Sequence, residues 1–219
     1  MRKPHPVVLC VLVLLGTRAA RADDSLTSPA PVAQRPFGWS LEGGIGINAI
    51  NGAIREGQNP GQPIDYGLGF GLQWTLRWKL LRIGLDGDIA MHIFAPGTVH
   101  AGLVAGVTWQ ATPVVRLDLL AEGGLSTYFN VGEDLFVTHV EGDRFAALPF
   151  AGVRAGLGWR FGPRKQGIFG LYLGFREDLM RKTLHPIVTS CLLGCSTVEE
   201  TWKMGGESYY VLTRIGWEM

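Results

Sequence analysis

Residues 66–78 read YGLGFGLQWTLRW and sort, without a break, into two unlike sets of side chains. Tyr66, Leu68, Phe70, Leu72, Trp74, Leu76 and Trp78 form one set, and Gly67, Gly69, Gly71, Gln73, Thr75 and Arg77 the other. A period of two over thirteen residues is a strand with two different faces, and no helix sorts residues that way. The sense of the alternation decides the environment. Seven bulky side chains from each of several strands would overfill a narrow barrel, whereas a glycine-rich face with a few charges interdigitates there. The apolar face is therefore expected to point outward, into lipid.

The same alternation recurs on both sides of this stretch. A first strand starts at Phe37 and sets Trp39, Leu41, Ile45 and Ile47 against Ser40, Glu42 and Asn48. After a tight turn near Lys79–Leu81, a third strand sets Ile83, Leu85, Ile89 and Met91 against Arg82, Asp86, Asp88 and His92. The fourth runs from Val99 to Gln110. The fifth turns Arg116, Asp118 and Glu122 inward, the sixth Arg154 and Arg160, the seventh Tyr172, Arg176 and Asp178, and the last, from Ser208, Tyr210, Arg214 and Glu218. Eight strands result, with long loops at 48–65, at 132–145 (acidic) and at 181–207, and short turns at the opposite end. An even number of antiparallel strands closes into an up-and-down barrel without a lipid-exposed edge. The fold class expected is all-β, an eight-stranded transmembrane barrel with a glycine-rich, salt-bridged lumen.

Tryptophan placement tests this independently, because interfacial aromatics gather at membrane boundaries. Trp39, Trp74, Trp78, Trp109, Trp159 and Trp217 all fall toward the end that holds the short turns and both barrel termini, which is then the periplasmic end. Thirty-one glycines among 219 residues are about twice the ordinary share of about 7%, as a crowded lumen requires.

Residues 1–22 read as a secretory signal, with Arg2 and Lys3 ahead of the apolar run Val7–Leu15 and Ala20-Arg21-Ala22 as the cleavage site. Residues 23–35, polar and proline-punctuated, read as a flexible periplasmic tail, and 36–219 as the barrel. Loss of the signal removes Arg2, Lys3, Arg18 and Arg21 and no acid, turning the net charge from +1 to −3. No basic run suited to nucleic acid remains. The two cysteines left, Cys191 and Cys195, lie in an exported chain with Gly194 between them and are expected to pair.

The inward face carries Glu42, Asp86, Asp88, Asp118, Glu122, Asp178 and Glu218 against Arg77, Arg82, Arg116, Arg154, Arg160, Arg176 and Arg214. Seven acids facing seven bases in a narrow lumen should pair into a plug, since a lone buried charge costs several kcal/mol, about 3–5. An ion or proton path is the functional alternative. His92 and His100 are equidistant from Pro96, so a hairpin centred there would oppose them at the outer rim, where a metal site is conceivable without any diagnostic spacing. Glu133, Asp134, Glu141 and Asp143 read as a solvated acidic loop. The Gly67-x-Gly69-x-Gly71 run lies inside a strand with no helix behind it and is no phosphate loop.

With its signal peptide, eight alternating segments, unequal loops and apolar-alternating last strand, the chain over 36–219 resembles the small eight-stranded outer-membrane barrels of the OmpA/OmpX type. Met219 departs from the aromatic residue that usually ends such barrels, which leaves Trp217 as the terminal aromatic. The resemblance implies residence in a Gram-negative outer membrane, contact with its lipids and lipopolysaccharide, delivery by the barrel-assembly machinery and no cofactor. It does not extend to the peptidoglycan-binding part of OmpA. The leading expectation is a non-enzymatic barrel acting in surface interaction or envelope integrity through its extracellular loops. The rivals are a narrow solute conduit, an outer-membrane lipid-modifying enzyme, for which the His-x-Ser signature is missing, and a soluble lipocalin-like binder with its faces reversed.

Overall fold

The computed structural model describes residues 37–51, 54–55, 65–92, 96–132, 137–191 and 195–219; the signal segment 1–22 and the tail 23–35 lie outside them, as do Glu133 and Asp134. Among the described residues the strands are β1 (Phe37–Asn51), β2 (Ile54–Arg55), β3 (Asp65–Trp78), β4 (Leu81–His92), β5 (Gly97–Gln110), β6 (Val115–Phe129) and β7 (Val137–Glu141). They continue with β8 (Ala146–Phe161), β9 (Gly167–Asp178), β10 (Lys182–Leu184), β11 (Ile187–Cys191), β12 (Cys195–Glu199), β13 (Trp202–Met204) and β14 (Glu207–Glu218).

Eight of these close into an antiparallel barrel in the order β1-β14-β9-β8-β6-β5-β4-β3. The sense of its faces is the one the alternation requires. Leu68, Phe70 and Leu72 of β3 are 69%, 63% and 60% exposed, while the largest wholly buried side chains are arginines, Arg116, Arg154 and Arg214. A surface of exposed leucine, isoleucine, valine and phenylalanine around a charged interior is stable only in hydrocarbon, and closure gives every strand a hydrogen-bonded neighbour on both sides. The barrel is therefore a transmembrane one, of the even-stranded antiparallel kind that outer membranes hold. Five of the six tryptophans expected at the periplasmic boundary are exposed there (Trp74, Trp78, Trp109, Trp159, Trp217), and Trp39 is partly exposed.

Glycine makes room for two lumenal tyrosines. Tyr172 lies across Gly156, its partner in the neighbouring strand, where a Cβ would meet the ring at 2.3 Å, and Tyr210 lies across Gly174 in the same manner, at 2.0 Å. Any side chain there would push the ring off the wall.

Three expectations are corrected. The segment 181–207 is not one loop: it contributes β10, β11, β12 and β13, and 132–145 contributes β7. These form two small sheets, β10-β13-β2 and β12-β11-β7, at the end away from the short turns. Their strands are three to five residues long apart from the two-residue β2, too short for period two to stand out among turn residues. Second, the β4–β5 register sets Asp88 against His100 and Ala90 against Thr98, so the hairpin is centred two residues before Pro96 and the two histidines are not opposite each other. Third, the alternating segments, about ten to thirteen residues each by their sequence and so near the roughly 9–11 a bilayer requires, run to 12–16 residues in the barrel.

Candidate functional site

Two stacked layers of charge fill the lumen. In the layer nearer the short turns, β1, β4 and β6 bring Glu42, Arg82, Arg116 and Asp118 together. Asp118 accepts from Arg82 Nη1 at 2.9 Å and from the Thr108 hydroxyl at 2.6 Å, and forms an ion pair with Arg116 Nη2 at 2.9 Å. Glu42 accepts from Arg82 and from Arg116 Nη2 at 3.1 Å. The Tyr172 hydroxyl accepts from Arg116 at 2.6 Å and donates to Glu42 Oε2 at 2.8 Å. Below them, Glu218 holds Arg77 Nη1 and Arg160 Nη2, each at 2.6 Å, and Arg116 Nη1 at 3.4 Å.

The second layer is built on β4, β6, β8, β9 and β14. Asp86 accepts from Arg154 at 2.9 Å and Arg214 at 2.8 Å; Glu122 accepts from Arg176 Nε at 2.7 Å and lies 3.2 Å from Arg154 Nε, with the Tyr210 hydroxyl as a further donor. Asp88 pairs with Arg176 Nη1 at 2.7 Å and His100 Nδ1 at 3.0 Å. The layers meet at the Tyr172 ring, over which the Arg154 and Arg214 guanidinium carbons stand 5.4 and 5.6 Å from the centroid. Of the fourteen residues expected to pair, the structure brings thirteen into this network. Asp178 is the exception: it accepts from the Tyr128 hydroxyl and from Gly206 N, at 3.2 Å, near the end of β9 away from the short turns. There it ties the start of β14 to the barrel instead of neutralising an arginine.

His92 does not join His100; its Nε2 lies 3.3 Å from the Thr98 hydroxyl, while His100 is held by Asp88 and stacks edge-on against Phe150. Among the described residues no three His, Cys, Asp or Glu side chains gather in a way that could hold a metal ion.

Above the charged layers sits an element that the sequence reading missed. Ile50, Tyr128, Ala146 and Leu148 from the barrel strand ends, Val131 just beyond β6, Leu184 of β10, and Trp202 and Met204 of β13 form one buried apolar cluster. It lies at the barrel end away from the short turns. The alternation Trp202-Lys203-Met204 was the available signal, too short to read by itself. Trp202 is also the one tryptophan away from the short-turn end, and its burial in this cluster explains why.

The second small sheet carries the cysteines. Cys191 and Cys195 are cross-strand partners in β11 and β12, joined by a disulfide with their Cα atoms 4.2 Å apart. The Cys191→Ser/Cys195→Ser protein is expected to keep the parent's barrel melting temperature. Its amide exchange should rise over 187–199 only, because a loop this short yields less than the about 3 kcal/mol of a 15-residue loop. Mass spectrometry finding two free thiols in the exported parent would contradict the bond.

No protein-family profile matches the chain. No curated protein matches it in sequence either. Among solved structures it is similar to the neisserial surface protein A (NspA), at 13% identity over 81% of this chain and 97% of that one with a TM-score of 0.47. It is also similar to the outer membrane protein OprG from Pseudomonas aeruginosa, at 8% identity over 83% and 95% with a TM-score of 0.44.

Proposed function

We propose that this chain is a sealed, non-enzymatic outer-membrane barrel that presents a structured β-sheet platform outside the cell, for surface interaction or envelope integrity. One observation carries the reading. The lumen is blocked twice, by two layers of paired charge and by the apolar cap over them. A cavity of about 10 Å³ near the short turns, lined among others by Ser40, Thr75, Arg82 and Glu218, has room for about one water. A conduit would need the ion pairs to separate, and separating one leaves uncompensated charge in a low-dielectric interior. Against an enzyme reading, the rim histidines do not converge, His92 lying beside Thr98 and His100 on Asp88, and the chain has no His-x-Ser signature. What remains available to a partner is the outer sheet, whose β12 is exposed along its whole length.

The test is conductance. In planar bilayers the purified full-length protein is expected to stay closed, with no stable ohmic steps. Large, persistent openings in the parent would overturn the sealed reading.

A further inference from the structure

The turns at the periplasmic end are unequal in charge. The β3–β4 turn carries Lys79, and the β8–β9 turn carries Arg164 and Lys165, all three exposed; the β5–β6 turn, 111–114, has no charged residue. Nearest this end, the carboxylate of Glu218 is already shared by three arginines. The lower lumenal layer as a whole sets four arginines (Arg77, Arg82, Arg116, Arg160) on three carboxylates (Glu42, Asp118, Glu218). Basic residues thus outnumber acids at this end, and the excess sits in two of its three turns.

The backbone makes the lysines conspicuous. Three non-glycine residues among those described have left-handed φ: Asn130, Lys79 (φ 54°) and Lys165 (φ 52°). Asparagine tolerates that region, but lysine does so at a cost that glycine would remove. The two basic turns thus accept strain and carry a cation at the strained position. The first lies against an exposed aromatic, and the second follows two in sequence. The Lys79 ammonium stands 5.4 Å from the Trp78 ring centroid, and Arg164 and Lys165 follow Trp159 and Phe161 at the end of β8. In the closed strand order, the β3–β4 and β8–β9 hairpins lie on opposite sides of the barrel. A single protein partner beneath the barrel would favour one continuous patch. Two separated cation-plus-aromatic sites at the membrane boundary fit two separate lipids.

We propose that the Lys79 turn and the Arg164–Lys165 turn are two independent binding sites for the phosphate headgroups of anionic phospholipids in the periplasmic leaflet. The cations meet the phosphate while the neighbouring aromatics pack on the glycerol and upper acyl region. The leaflet assignment rests on the orientation proposed above; the headgroup chemistry does not.

The experiment is native mass spectrometry of the full chain in a neutral detergent, titrated with phosphatidylglycerol or with phosphatidylethanolamine. The parent should hold two phosphatidylglycerols, preferred by about fivefold per basic residue engaged, with the preference fading at high salt. Lys79→Gly should remove one bound lipid and Arg164→Gln/Lys165→Gly the other. In lipid-free detergent, Lys79→Gly and Lys165→Gly should unfold no earlier than the parent, because glycine relieves the strained φ. That combination separates a binding role from a structural one. Lys79→Gln and Lys165→Gln serve as further variants should the glycine forms not refold. Equal uptake of both lipids by the parent, or a combined variant that keeps the preference, would overturn the sites. Labelling of Pro163→Cys by an impermeant reagent on intact cells would overturn the leaflet, and with it the orientation, while leaving the detergent result untouched.

Discussion

Asp118→Ala is expected to lower the free energy of barrel unfolding by about 3–5 kcal/mol, the cost of leaving a buried charge without its partner. Asp118 is buried, accepts from Arg82 and Thr108 at 2.9 and 2.6 Å, and pairs with Arg116 at 2.9 Å. Its removal leaves Arg82 with Glu42 alone and Arg116 with Glu42 and, at 3.4 Å, a Glu218 already shared by Arg77 and Arg160, so four guanidiniums face two carboxylates. The Asn variant keeps an acceptor without the charge and should fall between the alanine variant and the parent. Glu177→Ala, at an exposed position in β9, is the control and should cost no more than the roughly 0–1 kcal/mol of a surface charge. Denaturant titration of the protein in lipid vesicles measures all three. An Asp118→Ala protein as stable as the Glu177→Ala protein would mean that the lumenal charges do not hold the barrel.

Trp202→Ala is expected to open the outer cap. Its side chain is 6% exposed within the apolar cluster, and its indole N–H donates to Glu200 at 2.8 Å, so truncation leaves a void and removes that hydrogen bond. Removing a buried tryptophan costs about 3–5 kcal/mol. The cap is a small local unit, so this loss should appear as local opening more than as global unfolding. Protease cleavage and amide exchange should rise in 182–204, and Ile50 and Leu148 should become accessible at the mouth, while the denaturant midpoint of the barrel changes less. Conductance should stay absent, because the arginine–carboxylate layers lie below the cap. Channel activity in this variant alone would show that the cap, not the charge layers, is the seal.

How much of this was legible beforehand differs by element. The eight long strands were readable because their faces are strongly unlike: in β3 every second residue from Tyr66 to Trp78 is large and apolar. The disulfide was readable because export leaves two cysteines. The cap was not, since β10 and β13 are three residues long and the cluster they join is assembled from Ile50, Val131, Leu184 and Met204, which are far apart in the chain.

The same division runs through the lumen. Sequence by itself determined which side chains enter it, because successive Cβ atoms point to opposite faces of a strand wherever that strand pairs. It could not determine which acid meets which base. That depends on the register between neighbouring strands, set by turn conformation and by the closure of β1 on β14, whose paired residues Glu42 and Gly216 are separated by most of the barrel's sequence. A register centred two residues earlier at the β4–β5 hairpin placed His100 on Asp88 instead of on His92. The inward direction of Asp178 was right, but its height along the axis carried it past the arginines to Tyr128 and Gly206. Facing is a local property of covalent geometry; partnership is decided by strand stagger, which exists only once the barrel has closed.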